Sequence, residues 1–275
     1  MVQGDRDGVP ILVTGGTGTL GRLVVRRLRD DGRNVRVLSR RPREAENGIE
    51  FVRGDLRQRE GLERAVDGVS TIVHCASSNT GDADATRNLV HAAASLLKAP
   101  HLVYISIVGG DHVSFGYFRS KLEAERIVAD SGLPWTMLRA TQFYDLILAG
   151  AKRVAKLPVI PVPAGFLVQP IDADDVAARL VELALGEPAG RVADMGGPQV
   201  SSAAALIRVY LQATHRRRWV VPVWMPGIRA IRAGGLLVPE RHSAPEHAGG
   251  RRTWEQFLAE KLNRGPQAPG FEHHC

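Results

Sequence analysis

The sequence predicts an α/β protein built on a doubly wound parallel sheet, and three observations support this fold class. Short apolar runs alternate with segments of helical periodicity over much of the 275 residues. A hydrophobic content of 44% is enough to cover a sheet on both faces. The first apolar run, residues 9–13, leads into the glycine-rich stretch 14–21, which reads T-G-G-T-G-T-L-G. Together these features predict strand–helix–strand units with right-handed crossovers.

The elements of the first half follow one another in regular order. The predicted strands are residues 9–13, 34–38, 50–53, 69–75, 101–107 and 134–139. The predicted helices are the segment behind the glycines and residues 57–66, 82–98 and 117–131. Turn signals such as Asp31-Gly32, Asp67-Gly68 and Gly132 stand where the helices should end and return the chain to the sheet.

Beyond Thr141 the alternation weakens. Helices are predicted at residues 143–156, 173–185, 202–215 and 253–262, and one further strand at 191–195. Asp172 can cap the helix that follows it, because its carboxylate accepts from the free N–H groups of a first turn. Residues 157–163 contain three prolines, which cannot donate to a ladder, so this segment cannot be a central strand.

The glycine-rich stretch is the strongest functional signal in the chain. Its glycines are spaced G-x-x-G-x-x-G between an apolar strand and a helical segment. Such a turn lets the backbone approach a pyrophosphate, and the N–H groups of the following helix point at its charge. A glycine turn without a ligand is the simpler alternative, but the flanking strand and helix favour a Rossmann-type dinucleotide site. The residues expected to bind the cofactor here are Gly15, Thr17, Gly18, Thr19, Leu20 and Gly21.

This site and the order of elements predict two parts and a tail. We expect residues 1–155 to form an NAD(P)-binding Rossmann domain whose sheet is completed by about residues 171–197. Residues 156–264 are expected to form a smaller, mixed C-terminal part that binds substrate. Residues 265–275 begin with a glycine- and proline-rich run and are expected to be disordered.

The end of the second strand bears on the choice of cofactor. Sites that prefer NAD place a carboxylate there, about twenty residues past the glycines, to bind the ribose 2′-hydroxyl. This chain instead reads Ser39-Arg40-Arg41, and a guanidinium offers a planar set of donors that matches a phosphate. Arg40 and Arg41 therefore predict NADP(H). The alternative is that both are ordinary solvated arginines on the surface.

Composition limits the function classes. Cys75 and Cys275 are too few for a disulfide framework, and the polar start of the chain is not a signal peptide, so a cytoplasmic location is expected. No run of eighteen apolar residues exists, and neither a membrane span nor a membrane partner is expected. A net charge of +7 comes without a zinc pattern or aromatic ribbon, so we expect no nucleic acid. No metal is expected either, since the carboxylates near Asp172 suit a helix N-terminus.

The second functional signal is Tyr117 and Lys121, which are four residues apart on a predicted helix and therefore share a face. An ammonium about 4 Å from a phenol favours the phenolate by roughly 4 kcal/mol at an effective dielectric near 20. The phenol can then exchange a proton with a substrate oxygen. Lys121 can also bind the nicotinamide ribose of the cofactor. The same spacing on an ordinary surface helix would carry no function.

These features, in this order, resemble the short-chain dehydrogenase/reductase superfamily and, within it, the atypical NmrA-like or NAD(P)H-binding proteins. The likeness extends over about residues 9–200 and includes residues 104–109, 117–125, 138–143, 169–177 and 196–198. It implies a small-molecule substrate. It also implies that Asp55 and Leu56 lie by the adenine, and that the loop of Cys75, Ala76 and Ser77 runs under the nicotinamide half.

The resemblance also implies a catalytic serine near the end of the fifth strand. The usual position aligns with Ile107, whose side chain cannot polarise an oxygen, and Ser106 or Ser114 are the alternatives.

Three functions remain open on the sequence. The first is an NADPH-dependent reductase of a small, mostly apolar carbonyl or conjugated compound. In this interpretation Tyr117 donates a proton, Lys121 favours its ionisation, and Ser106 takes the place of the usual catalytic serine. The second is a non-catalytic NADP(H) sensor that reports to a protein partner. The third is an epimerase or isomerase that keeps its cofactor.

Overall fold

The computed structural model describes residues 8–46, 48–78, 81–111, 116–225, 233–239 and 249–263. Ser114 and the predicted tail at 265–275 lie outside these ranges. In the described part, seven parallel strands form one sheet. The strands are β1 Ile11–Thr14, β2 Val35–Ser39, β3 Ile49–Arg53, β4 Thr71–His74, β5 His101–Ile107, β6 Trp135–Ala140 and β9 Gly190–Arg191. Their order across the sheet is β3-β2-β1-β4-β5-β6-β9. The predicted α/β class and doubly wound sheet are confirmed.

Helices cover both faces of this sheet. The helices are α1 Thr19–Asp30, α2 Leu62–Val66, α3 Asp82–Ala94, α4 Gly116–Ala129, α5 Tyr144–Val154, α6 Ala173–Leu185, α7 Ala203–Ala213 and α8 Trp254–Asn263. Helices α1 and α6 pack on one face around a buried cluster that includes Leu28 and Leu180. Helices α2, α3 and α4 pack on the other face, around Leu62, Leu89 and Val128. The strand order reverses between β1 and β4, which is where doubly wound sheets bind ligands at their C-terminal edge.

A third core lies outside the central sheet. It joins α5, α7 and α8 to two small two-stranded sheets. One sheet pairs β7 Val159–Pro163 with β11 Trp219–Val223, and the other pairs β8 Leu167–Val168 with β10 Ser201–Ser202. Tyr144, Trp254 and Phe257 meet in its centre, with ring centroids 5.2–5.7 Å apart. The expectation that residues 157–163 avoid the central sheet is confirmed, since β7 pairs only with β11 in the described chain.

Three predicted element boundaries need correction. The helix predicted at 57–66 is limited to Leu62–Val66, because Asp55 and Glu60 exchange backbone hydrogen bonds in a turn and Gly61 adopts φ 67°. The helix predicted at 82–98 ends at Ala94. The strand predicted at 191–195 is two residues long, and Met195 contacts the sheet only through an isolated bridge to Ala140.

Candidate cofactor and active site

The glycine loop connects β1 to α1 at the C-terminal edge of the sheet. Gly15 adopts φ 68°, and a Cβ there would lie 2.6 Å from the backbone nitrogen of Ala76. A Cβ at Gly21 would lie 2.6 Å from the carbonyl carbon of Gly15 and closer still to its oxygen. Gly18 donates to the Gly15 carbonyl at 2.9 Å and is the N-cap residue of α1. The glycines therefore bring the loop close to the helix, with a glycine at the N-cap of α1.

A fourth glycine in the loop serves packing. A Cβ at Gly16 would lie 2.8 Å from a methyl group of Val37 on β2 and 3.2 Å from Val25 of α1. The sequence contains this glycine, but the G-x-x-G-x-x-G spacing does not include it, so its role was missed.

The segment after β4 lies against the glycine loop. Cys75 donates its backbone N–H to the carbonyl of Thr14 at 3.1 Å, and Ala76 donates to the Thr14 hydroxyl at 3.4 Å. Burial raises the pKa of the Cys75 thiol to about 12, against the opposing effect of Lys121, so the thiol is protonated at neutral pH. The structure thus brings Cys75 and Ala76 against the glycine loop, with Ser77 next along the chain.

A buried histidine connects the end of β1 to the start of α3. The Thr86 hydroxyl donates to the carbonyl of Asp82 at 2.8 Å, so it must accept from Nε2 of His74, 3.1 Å away. Nδ1 of His74 then accepts from the Thr14 hydroxyl at 2.6 Å. Burial, followed by the charge of Lys121, lowers the pKa of His74 to about 3. His74 is therefore a neutral structural link with a defined tautomer rather than an acid or base.

The predicted adenosine side lies along the ends of β2 and β3. Arg40 and Arg41 are exposed directly after β2, and the Ser39 hydroxyl donates to the Arg41 carbonyl at 2.9 Å. Asp55 follows β3, and its carboxylate accepts from the backbone N–H of Arg57 at 2.7 Å. Leu56 packs against the core beneath α3. Since β1, β2 and β3 are parallel, all these residues lie at the same sheet edge as the glycine loop.

Helix α4 carries Tyr117 and Lys121 at this edge. Lys121 is only 3% exposed, and its Nζ forms an ion pair with Asp82 at 3.0 Å. Nζ also donates to the hydroxyl of Tyr104 at 3.4 Å. Tyr117 is half-buried, and its hydroxyl lies 3.4 Å from that of Ser77. The charged partner of Lys121 is therefore the carboxylate of Asp82. The four-residue spacing of Tyr117 and Lys121 gives no indication of this partner.

Asp82 is the residue that sequence reasoning missed. Its carboxylate is buried, and it accepts from the Ser77 hydroxyl at 3.0 Å, from the Ser78 N–H at 2.6 Å and from Lys121. Because the hydroxyl of Ser77 donates to Asp82, it accepts from Tyr117. A continuous hydrogen-bonded chain thus runs from Tyr117 through Ser77 and Asp82 to Lys121. The only local signal was an acidic residue in a first helical turn, which is common everywhere.

The protonation of the buried pair follows from its surroundings. Burial alone would lower the pKa of Lys121, but Tyr104, Asp82 and Tyr117 outweigh it and raise the pKa above its ordinary value. Burial raises the pKa of Tyr104 to about 12, partly offset by Lys121. At neutral pH the site therefore holds a charged lysine, compensated by Asp82, beside a neutral Tyr104.

Ser106 lies inside β5 rather than at its end. It is buried, and its hydroxyl has no hydrogen-bond partner among the described residues. It shares a face of β5 with Tyr104, since side chains two apart in a strand point the same way. Ile107, at the position aligned with the usual serine, is half-buried at the end of the strand.

An ion-paired arginine holds α4 against the sheet. Arg139 of β6 is buried and donates to Glu125 of α4 through Nε at 2.7 Å, with a second contact to Asp111 after β5. Glu125 stands four residues after Lys121, so this contact stabilises the position of the helix that carries the candidate site.

Two observations concern groups other than a nucleotide. Across the described ranges, no three His, Cys, Asp or Glu side chains are grouped so that they could hold a metal ion. No helix in the same part of the chain has the length and apolar composition needed to cross a bilayer.

The fold and the site define an NAD(P)-binding protein of the Rossmann type. The chain belongs to the NAD(P)H-binding family, whose profile matches residues 15–186. This confirms the resemblance to the atypical short-chain dehydrogenase/reductase proteins.

Several relatives carry reductase or oxidoreductase names, and two others are named photosystem II assembly factors. The chain is 35% identical over 200 residues to the (4-alkanoyl-5-oxo-2,5-dihydrofuran-3-yl)methyl phosphate reductase of Streptomyces griseus, covering 70% of each protein. It is 27% identical to quinone oxidoreductase 2 of Escherichia coli, over 68% of each.

Solved structures share the fold. The NADPH complex of the Escherichia coli NADPH-dependent quinone oxidoreductase has a TM-score of 0.78 at 21% identity, covering 92% of this chain and 100% of that one. The triphenylmethane reductase of a Citrobacter species has a TM-score of 0.77 at 19% identity, covering 92% and 99%.

Proposed function

We propose that the chain is an NADPH-dependent oxidoreductase that reduces a small, mostly apolar carbonyl or conjugated compound. The observation that carries this proposal is the hydrogen-bonded chain that starts at the hydroxyl of Tyr117 and ends at the buried ammonium of Lys121. A half-buried phenol connected to a buried positive charge, at the edge where a dinucleotide would bind, suits proton donation to a substrate. The names of the relatives support the reductase class.

The residues present fit a dinucleotide. Gly15, Gly18 and Gly21 allow a close backbone approach in the loop that side chains would obstruct, and the helix that follows has no acidic residue in its first turn. The pyrophosphate would lie there, against the backbone of Thr17, Thr19 and Leu20. Arg40 and Arg41 would bind the 2′-phosphate, which is the reason for proposing NADP(H). Asp55 and Leu56 would contact the adenine, and Cys75, Ala76 and Ser77 the nicotinamide side.

The proton steps begin at Tyr117. When bound, NADPH supplies a hydride to the substrate. The Tyr117 hydroxyl rotates from Ser77 toward the substrate oxygen and donates its proton there. Lys121, which Asp82 keeps charged, stays protonated and favours the transient tyrosinate by its positive charge. The half-buried Tyr117 regains its proton from solvent before the next turnover.

The substrate class rests on chemistry shared by two relatives. One acts, by its name, on an acyl-substituted unsaturated lactone, and the other on quinones. Both are electron-poor double bonds conjugated to carbonyl groups, which accept a hydride and then a proton. Because Ile107 cannot polarise a substrate oxygen, a substrate whose own conjugation spreads the charge suits this site better than a simple ketone.

Tyr117→Phe tests the catalytic role. We expect NADPH oxidation with a panel of enones and quinones to fall about 100-fold or more, because the proton donor is lost. The NADPH dissociation constant, measured by calorimetry, should stay within about twofold. Retained turnover would remove Tyr117 from the mechanism. Tight NADPH binding with no turnover on the whole panel by the native protein would favour the sensor, and copurified cofactor without net redox change would favour the isomerase.

Arg40→Asp tests the cofactor. We expect it to weaken NADPH binding at least tenfold while leaving NADH binding nearly unchanged, because only the 2′-phosphate is affected. Arg126→Asp, an exposed arginine in the last turn of α4, is the matched control and should change neither. Equal affinity of the native protein for NADPH and NADH would contradict the assignment.

A further inference from the structure

The part of the molecule beyond the central sheet carries a sheet face that no described element covers. Strands β7 and β11 pair in parallel, with Val159 opposite Trp219 and Pro161 opposite Val221. The intervening residues of β7 are buried in the third core, so these four side chains point outward. All four are exposed, and Trp219 is 77% exposed. We call these four residues the apolar face.

The composition of this face is unusual for a surface. A sheet with one solvated face normally alternates apolar residues inward with polar residues outward. Here both sides of the two-stranded sheet are apolar. Trp224 and Met225 extend the patch directly after β11, and Trp224 is 76% exposed. Contiguous apolar surface that includes large side chains marks an interaction site.

Basic side chains stand along one edge of the apolar face. Because the strands are parallel, the residues just before β7 and just before β11 lie at the same edge, and Arg218 donates to the carbonyl of Ala155 at 3.3 Å. Residues 195–239 contain no aspartate or glutamate. Lys156 precedes β7, Arg216, Arg217 and Arg218 precede β11, and Lys152 and Arg153 lie in the last turn of α5 before β7. These six residues, the cationic rim, are exposed and form no ion pair within the described ranges.

We propose that the apolar face docks on an anionic lipid membrane, with the cationic rim at the headgroups and Trp219 and Trp224 in the interface. Tryptophan favours the level of the headgroups, and an apolar surface bordered by basic residues is the general form of an interfacial binder. This mode departs from the expectation of no membrane partner, which rested only on the absence of an apolar run long enough to span a bilayer. It is also independent of the redox activity proposed above.

Charge and shape favour this partner over two others. A second copy of the chain would bring the same six cations to the interface and repel them. A nucleic acid would leave the aliphatic part of the face, Val159, Pro161 and Val221, without a partner, because phosphates bind cations and bases stack on aromatic rings. A lipid surface offers both an opposite charge and an apolar layer.

Vesicle flotation of the full chain tests the proposal. We expect binding to phosphatidylcholine vesicles that contain one third phosphatidylglycerol, little binding to pure phosphatidylcholine, and a blue shift of tryptophan emission on binding. Each basic residue near an anionic surface contributes about fivefold to partitioning. The triple substitution of Arg216, Arg217 and Arg218 to glutamine should therefore weaken binding on the order of a hundredfold.

Two variants separate the apolar contribution from a general loss of folding. Trp219→Ser with Trp224→Ser should reduce binding about tenfold or more, because both rings leave the interface. Leu97→Ser removes a fully exposed leucine after α3 and should leave binding unchanged. Circular dichroism and NADPH binding confirm that each variant is folded.

Several results would overturn the proposal. Native protein that floats with neither vesicle, or tryptophan variants that bind as well as native protein, would exclude membrane docking by this face. A dimer in sedimentation velocity that the tryptophan substitutions dissociate would assign the face to a second copy. Binding to an oligonucleotide without binding to anionic vesicles would assign it to nucleic acid.

Discussion

Replacing Asp82 by asparagine tests the buried charge network directly. The substitution keeps the size of the side chain and an acceptor for Ser77, but it removes the negative charge 3.0 Å from the ammonium of Lys121. Both side chains of the ion pair are only 4% exposed, so water cannot replace the lost charge. Two charges at this separation attract by about 5.5 kcal/mol at an effective dielectric near 20, and desolvation offsets part of that attraction.

The expected result is a large loss of stability at neutral pH. Removing one partner of a buried pair costs about 3–5 kcal/mol, because the other charge remains buried without compensation. At about 2–4 °C per kcal/mol for a chain of this size, Tm should fall by roughly 6–20 °C. In the native protein the pKa of Lys121 is raised, so the contribution of the pair is present below pH 10.5 and is lost as pH rises through the native value.

Urea unfolding followed by circular dichroism measures this loss. Asp84→Asn is the matched control, since Asp84 is on the same helix but pairs with Arg87 at the surface, where an ion pair contributes at most about 1 kcal/mol. The double variant Asp82→Asn with Lys121→Met should recover much of the stability, because no unpaired charge is left. A loss below about 1 kcal/mol for Asp82→Asn, or strictly additive losses in the double variant, would refute the reasoning.

Two further predictions concern the groups around this network. Gly21→Ala should cost about 1–3 kcal/mol of unfolding free energy and weaken NADPH binding at least tenfold in calorimetry, because the new Cβ overlaps the carbonyl of Gly15. The control Gly150→Ala has open space around it inside α5, so it should leave NADPH binding unchanged and raise stability by about 0.5–1 kcal/mol through helix propensity. Since the native pKa of His74 is about 3, the unfolded chain binds more protons between pH 3 and 6.5, and urea unfolding should show stability falling by up to about 1.4 kcal/mol per unit below pH 6.5. His74→Gln should flatten that dependence, and an unchanged pH profile would show that His74 is not buried as a neutral group.

Most of the fold could be predicted because its signals are local. A run such as Ile11–Thr14 is apolar throughout, as a strand covered on both faces must be, and α1 carries its apolar residues on one side. The errors came where tertiary contacts decide local structure. The turn between Asp55 and Glu60 shortens α2 through backbone bonds that no periodicity shows. The two small sheets depend on pairings between β7 and β11, and between β8 and β10, far apart in the sequence.

Some features of the candidate site are likewise local in sequence, and others depend on tertiary contacts. The glycine loop, the arginines after β2 and the spacing of Tyr117 and Lys121 are properties of neighbouring residues, so the sequence alone determined them, and with them the cofactor class. The ion pair of Lys121 with Asp82, the link from Tyr117 through Ser77 and the exposed face of β7 and β11 were decided only by the tertiary structure. The physical reason is that charge compensation and exposure depend on which distant segments the fold brings together. The spacing of neighbouring residues does not determine those contacts.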